Sequence, residues 1–207
     1  MFKPTTLALS IALAACAFGN AQADVVHALG DQAPTGFNIG GSSNGARGWR
    51  FSVDVPEITV TELGLNTPRG GDNSTRVATL WNYTTSTILA QTSVAAGTGW
   101  VWTSIAPVTL TAGDDYLVSY WSALSDYYFG TPGGSWLPDG DVVYKDMRYC
   151  NQCTASSVST QVLNGYQYGL VDIGYTVGTN NTVPEPGALS LVGIALAGLA
   201  LLSRRKA

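Results

Sequence analysis

The stretch Trp49-Arg50-Phe51-Ser52-Val53 alternates large apolar and polar side chains, and after Pro56 the stretch Ile58-Thr59-Val60-Thr61-Glu62-Leu63-Gly64-Leu65 forms a second apolar-rich run. Alternation with a period of two is typical of a half-buried strand, because successive side chains point to opposite faces of a sheet. Pro56 lacks a backbone donor and interrupts pairing between the two runs. This segment therefore predicts two strands separated by a turn.

Short apolar-rich runs continue on both sides of turn signals, at spacings near ten residues. We predict further strands at residues 77–83, 88–94, 100–105, 107–110, 116–123, 142–144 and 166–177. The segments 36–48, 68–73, 95–99 and 112–115 are rich in Gly, Ser, Asn, Asp or Pro, which favour loops and turns. No window of helical length shows a 3.6-residue apolar stripe. The expected fold is all-β, an antiparallel β-sandwich of the jelly-roll or immunoglobulin-like kind.

The first 23 residues have the order of a secretory signal peptide. Lys3 provides the positive end, residues 7–18 the apolar region, and Ala21-Gln22-Ala23 a small-x-small cleavage site. Cleavage by signal peptidase would leave Asp24 as the first residue. The run ending in Cys16 also resembles a lipobox, which would place a lipid on that cysteine. Both interpretations predict export.

The C-terminal segment combines a rigid break, an apolar run and a basic end. Residues 179–187 form a linker that contains Val183-Pro184-Glu185-Pro186, and the prolines favour a boundary before a helix. Residues 188–202 carry no charge and predict a single hydrophobic helix of about 22 Å, shorter than a comfortable membrane span. Arg204, Arg205 and Lys206 would stay on the cytoplasmic side. An ordinary tail anchor is the alternative to a removable sorting signal.

This arrangement resembles the PEP-CTERM sorting signal of Gram-negative bacteria. The resemblance rests on Val183-Pro184-Glu185-Pro186, the apolar run and the basic end from Arg204 to Lys206. It implies that an exosortase, a membrane-embedded cysteine transpeptidase, cuts near the motif and moves the protein to the cell surface or extracellular matrix. The chain would then occupy the inner membrane only transiently.

A second resemblance covers residues 47–121. The runs beginning at Gly48-Trp49, Ile58-Thr59, Thr79-Leu80-Trp81 and Gly99-Trp100 are similar to an all-β domain of uncharacterised function in bacterial surface proteins. That family brings no catalytic residues with it.

The region between the two targeting segments, residues 24–178, is long enough for one domain with a sizeable core. It contains six basic and thirteen acidic residues, so its net charge is −7, and it holds all six Trp and all ten Tyr. A strongly acidic domain disfavours nucleic acid and anionic lipid as partners.

Cys150 and Cys153 are the cysteines that remain after signal cleavage. An oxidising exported environment favours a disulfide between them. A thioredoxin-like site would need a βαβ context, and a zinc site would need more ligands than the sole histidine, His27, provides.

Two sets of residues are candidates for binding. Tyr127, Tyr128 and Trp136 lie in a Gly/Pro-rich region and predict exposed rings for carbohydrate, while alternation places Trp100 and Trp102 on one strand face. The alternative for each ring is burial in the core.

Asp139 and Asp141 flank a glycine and are weak candidates for calcium ligands, and turn formation is the more common explanation for Asp and Gly in such a stretch. No other cofactor is expected.

The expected function is an exported, exosortase-sorted surface or matrix protein that binds carbohydrate, with exopolysaccharide as the leading partner, or protein, without catalysis. Glu57 and Glu62 are predicted to be solvent-facing on one strand rather than paired catalytic carboxylates. The alternative is a secreted polysaccharide-acting hydrolase, and a pure spacer is a third possibility.

Overall fold

The described part of the domain contains twelve strands that pair antiparallel, and the prediction of an all-β sandwich is confirmed. The computed structural model describes residues 24–30, 37–39, 44–67, 75–95, 97–123, 127–129, 138, 140–162 and 170–178. Within these residues Asp24–Gly178 forms one compact unit. No helix among them is long and apolar enough to cross a membrane. The predicted signal peptide and C-terminal helix lie outside the described residues.

The larger sheet has six strands in the order β11-β10-β3-β8-β5-β6. Its strands are β3 (Gly45–Val53), β5 (Arg76–Asn82), β6 (Thr87–Val94), β8 (Asp115–Ser122), β10 (Val142–Asn151) and β11 (Gln161–Val162).

The smaller sheet has four strands in the order β1-β12-β4-β7, and a separate two-stranded ribbon pairs β2 with β9. These strands are β1 (Val26–His27), β4 (Ile58–Thr67), β7 (Gly99–Thr109) and β12 (Val171–Val177), with β2 (Phe37–Ile39) and β9 (Tyr127–Phe129) in the ribbon.

Strand pairing decides between the two predicted sandwich types. The hairpin β5-β6 is nested inside the pair β4-β7, which is nested inside β3-β8, and β1-β12 is outermost. Successive pairs alternate between the two sheets. This nested arrangement is the jelly roll, with β10 and β11 added beside β3.

The core lies between the two sheets and is formed by the inward residues of each alternating strand. Trp49, Phe51 and Val53 of β3 face Leu63 and other apolar residues of the smaller sheet, and all are almost fully buried. The Trp49 indole N–H donates to the Val171 carbonyl oxygen at 2.7 Å, which links the two sheets directly. The alternation seen in the sequence therefore marks the core face of β3.

Three strand predictions need correction. The predicted strands 100–105 and 107–110 form one strand, β7, which ends at Thr109; its pairing with β4 shifts register between Val60 and Glu62 instead of ending at Pro107. Strand β10 extends through Asn151, well beyond residue 144, because it pairs along the whole of β3. The predicted loop 36–48 contains β2 and the first residues of β3.

Candidate functional site

The outer face of the four-stranded sheet carries the cluster of chemically interesting residues. On β4, Leu63 and Leu65 point into the core, so Glu62 and Gly64 point outward. On β7, Trp102 pairs with Gly64 and Trp100 pairs with Asn66, which places both rings on the same outer face. The sequence prediction that Trp100 and Trp102 share one face agrees with this pairing.

Two glycines form the floor of this face. A methyl group added at Gly64 would lie 2.4 Å from the six-membered ring of Trp102, and one added at Gly174 would lie 2.4 Å from Cγ of Glu62. The Trp102 ring and the Glu62 side chain therefore lie directly against the backbone of neighbouring strands. Any larger residue at either glycine would displace them.

Three rings stack in a row above this floor. The centroids of His27 and Trp102 lie 3.6 Å apart with an interplanar angle of 8°, and those of Trp100 and Trp102 lie 5.4 Å apart at 20°. Both tryptophans are partly exposed. We call Trp100, Trp102 and His27 the aromatic stack.

Glu62 fixes the orientation of His27. His27 Nε2 lies 2.7 Å from Glu62 Oε1, and the two side chains keep 25% and 21% of their surface exposed. Because an ionised carboxylate only accepts, the imidazole Nε2–H is the donor. Stacking and hydrogen bonding together fix β1, which contributes His27, to the outer face.

Through its carboxyl group, Asp172 also holds the N-terminal segment that contains β1. Its carboxylate accepts the Leu29 N–H at 2.9 Å and the Ile173 N–H at 2.8 Å, and its side chain is fully buried. Burial raises the pKa of the Asp172 carboxyl well above its ordinary value, and the two backbone hydrogen bonds oppose that rise.

We expect Asp172 to make the domain less stable as the pH rises. A carboxyl whose pKa is higher in the folded state binds its proton more tightly there, so its stabilising contribution is present below the unfolded pKa of about 3.9 and is lost as the pH rises through the folded pKa. Urea unfolding between pH 4 and pH 8 should show this loss, and D172N should remove that part of the pH dependence. A wild-type profile that D172N leaves unchanged would contradict the assignment.

The disulfide prediction is confirmed: Cys150 at the end of β10 is bonded to Cys153, with 6.0 Å between their Cα atoms. Residues 153–160, which we call the strap, then run over the outer face of the six-stranded sheet. The Trp121 indole N–H donates to the Cys153 carbonyl oxygen at 2.8 Å, and the Gln91 side-chain amide donates to the Ala155 carbonyl oxygen at 3.0 Å. The disulfide thus begins a segment that is tied to the sheet by side-chain hydrogen bonds.

The charged groups on this second outer face are paired with one another. Arg50 and Arg148 both donate to Asp146, and both guanidinium groups lie over the Tyr83 ring. The hydrogen bond with Asp146 raises the pKa of Arg148. Arg148 also donates to the Thr160 carbonyl oxygen at 2.8 Å. This network ties the strap to β10 and β3, and we assign it a structural role.

The other predicted site residues are placed only in part. Tyr127 and Tyr128 lie in β9, paired with Ile39 and Asn38 of β2, while Trp136 lies outside the described residues. Asp141 is described and follows Gly140, which has a φ of 79° typical of a turn, whereas Asp139 is not described. Within the described part of the chain, no three His, Cys, Asp or Glu side chains form a metal-binding group. The sorting motif from Val183 to Pro186 and the basic end, Arg204, Arg205 and Lys206, also lie outside it.

Sequence reasoning missed two members of the site. From the sequence, His27 is considered only as a zinc ligand, and Glu62 is predicted to be a solvent-facing residue on the same strand as Glu57. Glu57 instead lies in the turn before β4, with a φ of 66°. The glycine at position 64 within an otherwise regular strand was the one available signal, since such a glycine often marks close approach by another group.

The fold and this face define the class: a single β-sandwich of jelly-roll topology with stacked aromatic rings on the outside of one sheet. Residues 182–206 match the PEP-CTERM protein-sorting motif, so the protein is an exosortase substrate, routed for export to the surface or exterior of the cell. Residues 31–166 match the family described as Domain of unknown function (DUF4082), and the chain belongs to that family. A comparison with curated proteins finds no match. Glu62, Trp100 and Trp102 fall inside the matched range, whereas His27 and Asp172 fall outside it.

Proposed function

We propose that the exported domain binds polysaccharide without catalysis, through the aromatic stack on the four-stranded sheet. The observation that carries this proposal is the row of near-parallel rings Trp100, Trp102 and His27, partly exposed on an outer sheet face. The apolar faces of sugar rings pack against aromatic side chains, and neighbouring polar groups bind the hydroxyls. Glu62 and His27 supply such polar groups beside the rings.

Rigidity of the face supports the same function. The Trp102 ring lies against Gly64, and His27 is held by both Trp102 and Glu62. A surface that is already ordered loses little side-chain entropy when a ligand binds. The arrangement therefore suits recognition of a repeated, semi-rigid ligand such as a polysaccharide chain.

Charge indicates which polysaccharides are favoured. The exported region carries a net charge of −7, and Glu62 adds a carboxylate directly at the site. An acidic surface repels uronic or sulfated chains, particularly at low ionic strength. We therefore propose neutral exopolysaccharide as the ligand class.

The hydrolase alternative is less well supported by this face. Glycoside hydrolysis uses two accessible carboxyl groups on either side of the scissile bond. Asp172 is the second acidic residue of this region, and it is fully buried with both oxygens bound to backbone N–H groups. We therefore propose binding as the activity of the face.

A second predicted carbohydrate contact consists of Tyr127, Tyr128 and Trp136. Tyr127 and Tyr128 lie in β9 of the ribbon. A surface or matrix protein with more than one sugar contact would gain retention by multivalency, since linked contacts act at high effective concentration. The alternative ligand class for these three residues is protein.

We expect W100A to weaken binding to a neutral polysaccharide by about fivefold, since one aromatic contact contributes roughly 1 kcal/mol and 1.4 kcal/mol corresponds to a factor of ten. The exported protein would be tested by pull-down with insoluble β-1,3-glucan and cellulose, and by affinity electrophoresis in dextran, with alginate as the anionic comparison. Trp100 is chosen because it ends the stack and does not contact His27 in the ring pairs observed.

Tyr83→Ala is the matched control, because it removes a partly exposed aromatic ring from the outer face of the other sheet. Thermal unfolding would establish that both variants are folded. The proposal is wrong if W100A is retained as well as the wild type on every neutral polysaccharide. It is also wrong if W100A and Tyr83→Ala lose retention equally.

A further inference from the structure

Two edge strands of the sandwich carry no charged residue. From Val77 to Gly113 the sequence contains no Asp, Glu, Lys, Arg or His, and this segment includes β6, β7 and most of β5. β6 is the terminal strand of the six-stranded sheet, and β7 is the terminal strand of the four-stranded sheet. Both sheets therefore end on an uncharged strand.

Terminal strands normally carry features that prevent pairing with other chains, such as charges, proline, bulges or short length. β7 carries Pro107 and the register shift against β4. At the opposite ends of the two sheets, β1 and β11 have two residues each. β6 has eight residues, with no charge and no proline, and its one bulge lies at Leu89, so among the described residues it carries the fewest of these features for its length.

Two large apolar side chains are exposed at the start of β6. Ile88 and Leu89 are 41% and 36% exposed, and Leu89 lies at a bulge where the pairing between β5 and β6 shifts register. Beyond the bulge, residues 90–94 pair regularly with β5 and continue the sheet to its edge. Leu89 and Ala90 also line an open groove of about 350 Å³ between β6 and β7, with Ile105, Pro107 and Val108 on the other side.

The net charge of the domain indicates which partner would bind at the β6 edge. The domain is strongly acidic: of its described cations Arg47, Arg76 and Arg148 are buried, Arg50 is partly exposed and Lys145 is exposed, while Asp54 and Glu57 are exposed. Two copies of the domain therefore repel each other over most orientations. The uncharged edge at β6 is a surface where two copies approach without pairing like charges, and Thr92 and Ser93 of residues 90–94 offer hydroxyl side chains to an identical strand.

We propose that β6 is a self-association edge, at which residues 90–94 of one copy pair antiparallel with the same residues of a second copy. Such an arrangement has two-fold symmetry and joins the two six-stranded sheets into one continuous sheet. Thr92 then lies at the symmetry axis, and Leu89 of each copy lies opposite residue 95 of the other copy. For a protein routed to the surface or exterior, pairing of this kind supplies a cohesive contact that is independent of the aromatic stack.

The test is sedimentation equilibrium of the exported protein over a hundredfold concentration range, at about 0.05 M and about 0.5 M NaCl. We expect a monomer–dimer equilibrium that strengthens at the higher salt concentration, because salt screens the repulsion between acidic copies. S93K places its two lysines one residue on either side of the symmetry axis, and L89K places one lysine beside each end of the paired segment. We expect both to weaken the dimer by at least about tenfold, equivalent to 1.4 kcal/mol.

Val162→Lys is the matched control, since Val162 is 46% exposed on β11, at the other end of the same sheet. All three variants change the net charge equally and reduce general repulsion, so a general charge effect would strengthen every dimer. Circular dichroism and thermal unfolding would establish that each variant is folded. A wild-type protein that stays monomeric at all concentrations, a dimer that L89K and S93K leave intact, or a dimer that V162K disrupts equally would each overturn the proposal.

Discussion

Trp49→Ala is expected to lower the free energy of unfolding by about 3–5 kcal/mol, the range for removing a buried aromatic side chain from a packed core. Trp49 is 1% exposed, its ring lies 5.0 Å from that of Phe51, and its indole N–H donates to the Val171 carbonyl oxygen in the opposite sheet. The substitution leaves a cavity between the sheets and removes this hydrogen bond. Because domains are stable by only about 5–15 kcal/mol, the variant should be close to unfolding at ambient temperature.

Chemical denaturation monitored by circular dichroism measures this loss. Trp49→Phe keeps most of the ring volume and should cost about 1–3 kcal/mol, chiefly for the carbonyl oxygen that loses its donor. Trp121→Ala is the control, since Trp121 also donates to a carbonyl oxygen, that of Cys153, but is partly exposed. A loss for Trp49→Ala no larger than that for Trp121→Ala would show that Trp49 does not link the sheets as described.

Gly48→Ala is expected to destabilise the domain by about 3 kcal/mol or more, at or above the upper end of the usual cost of overpacking. A methyl group at this position would lie 2.0 Å from the Val118 carbonyl oxygen and 2.6 Å from Cα of Ser119. Both atoms belong to the backbone of β8, which pairs with β3 in the middle of the six-stranded sheet. Relief therefore requires separation of two central strands rather than rotation of a side chain.

Gly113→Ala separates steric cost from backbone strain. Gly113 has a φ of 89° and no atom within 4 Å of an added methyl group, so its replacement should cost only about 1 kcal/mol for the unfavourable backbone conformation. Melting temperatures of the two variants provide the comparison. If Gly48→Ala proved as mild as Gly113→Ala, the close approach of β3 and β8 would be wrong.

The strand positions were predictable because alternation is a local property. The inward residues of β3 and β4 are those that the sequence pattern marks as apolar, including Trp49, Phe51 and Leu63. The prediction failed where pairing with a distant strand decides the length of an element. β10 extends to Asn151 because β3 offers partners along its whole length, and β7 continues through Pro107 because the register shift with β4 accommodates that residue.

The candidate site was predictable only in its tryptophans. Trp100 and Trp102 share a face because they are two residues apart in one strand, which any reader of the sequence can deduce. Nothing local connects them with His27 or Glu62. Those contacts exist because β1, β4 and β7 belong to the same sheet, and because Gly64 and Gly174 leave room for side chains to lie across neighbouring strands.

The sequence by itself determined the export route, the all-β character and the pairing of Cys150 with Cys153, because each depends on residues that are close together along the chain. Only the tertiary structure decided that the sandwich is a jelly roll, that His27 joins the aromatic stack and that β6 ends a sheet without charge or proline. Alternation shows which side of a strand is buried, but it carries no information about which strand lies beside it. The packing of the whole core decides which distant strands become neighbours. The candidate site and the uncharged edge at β6 both follow from that packing.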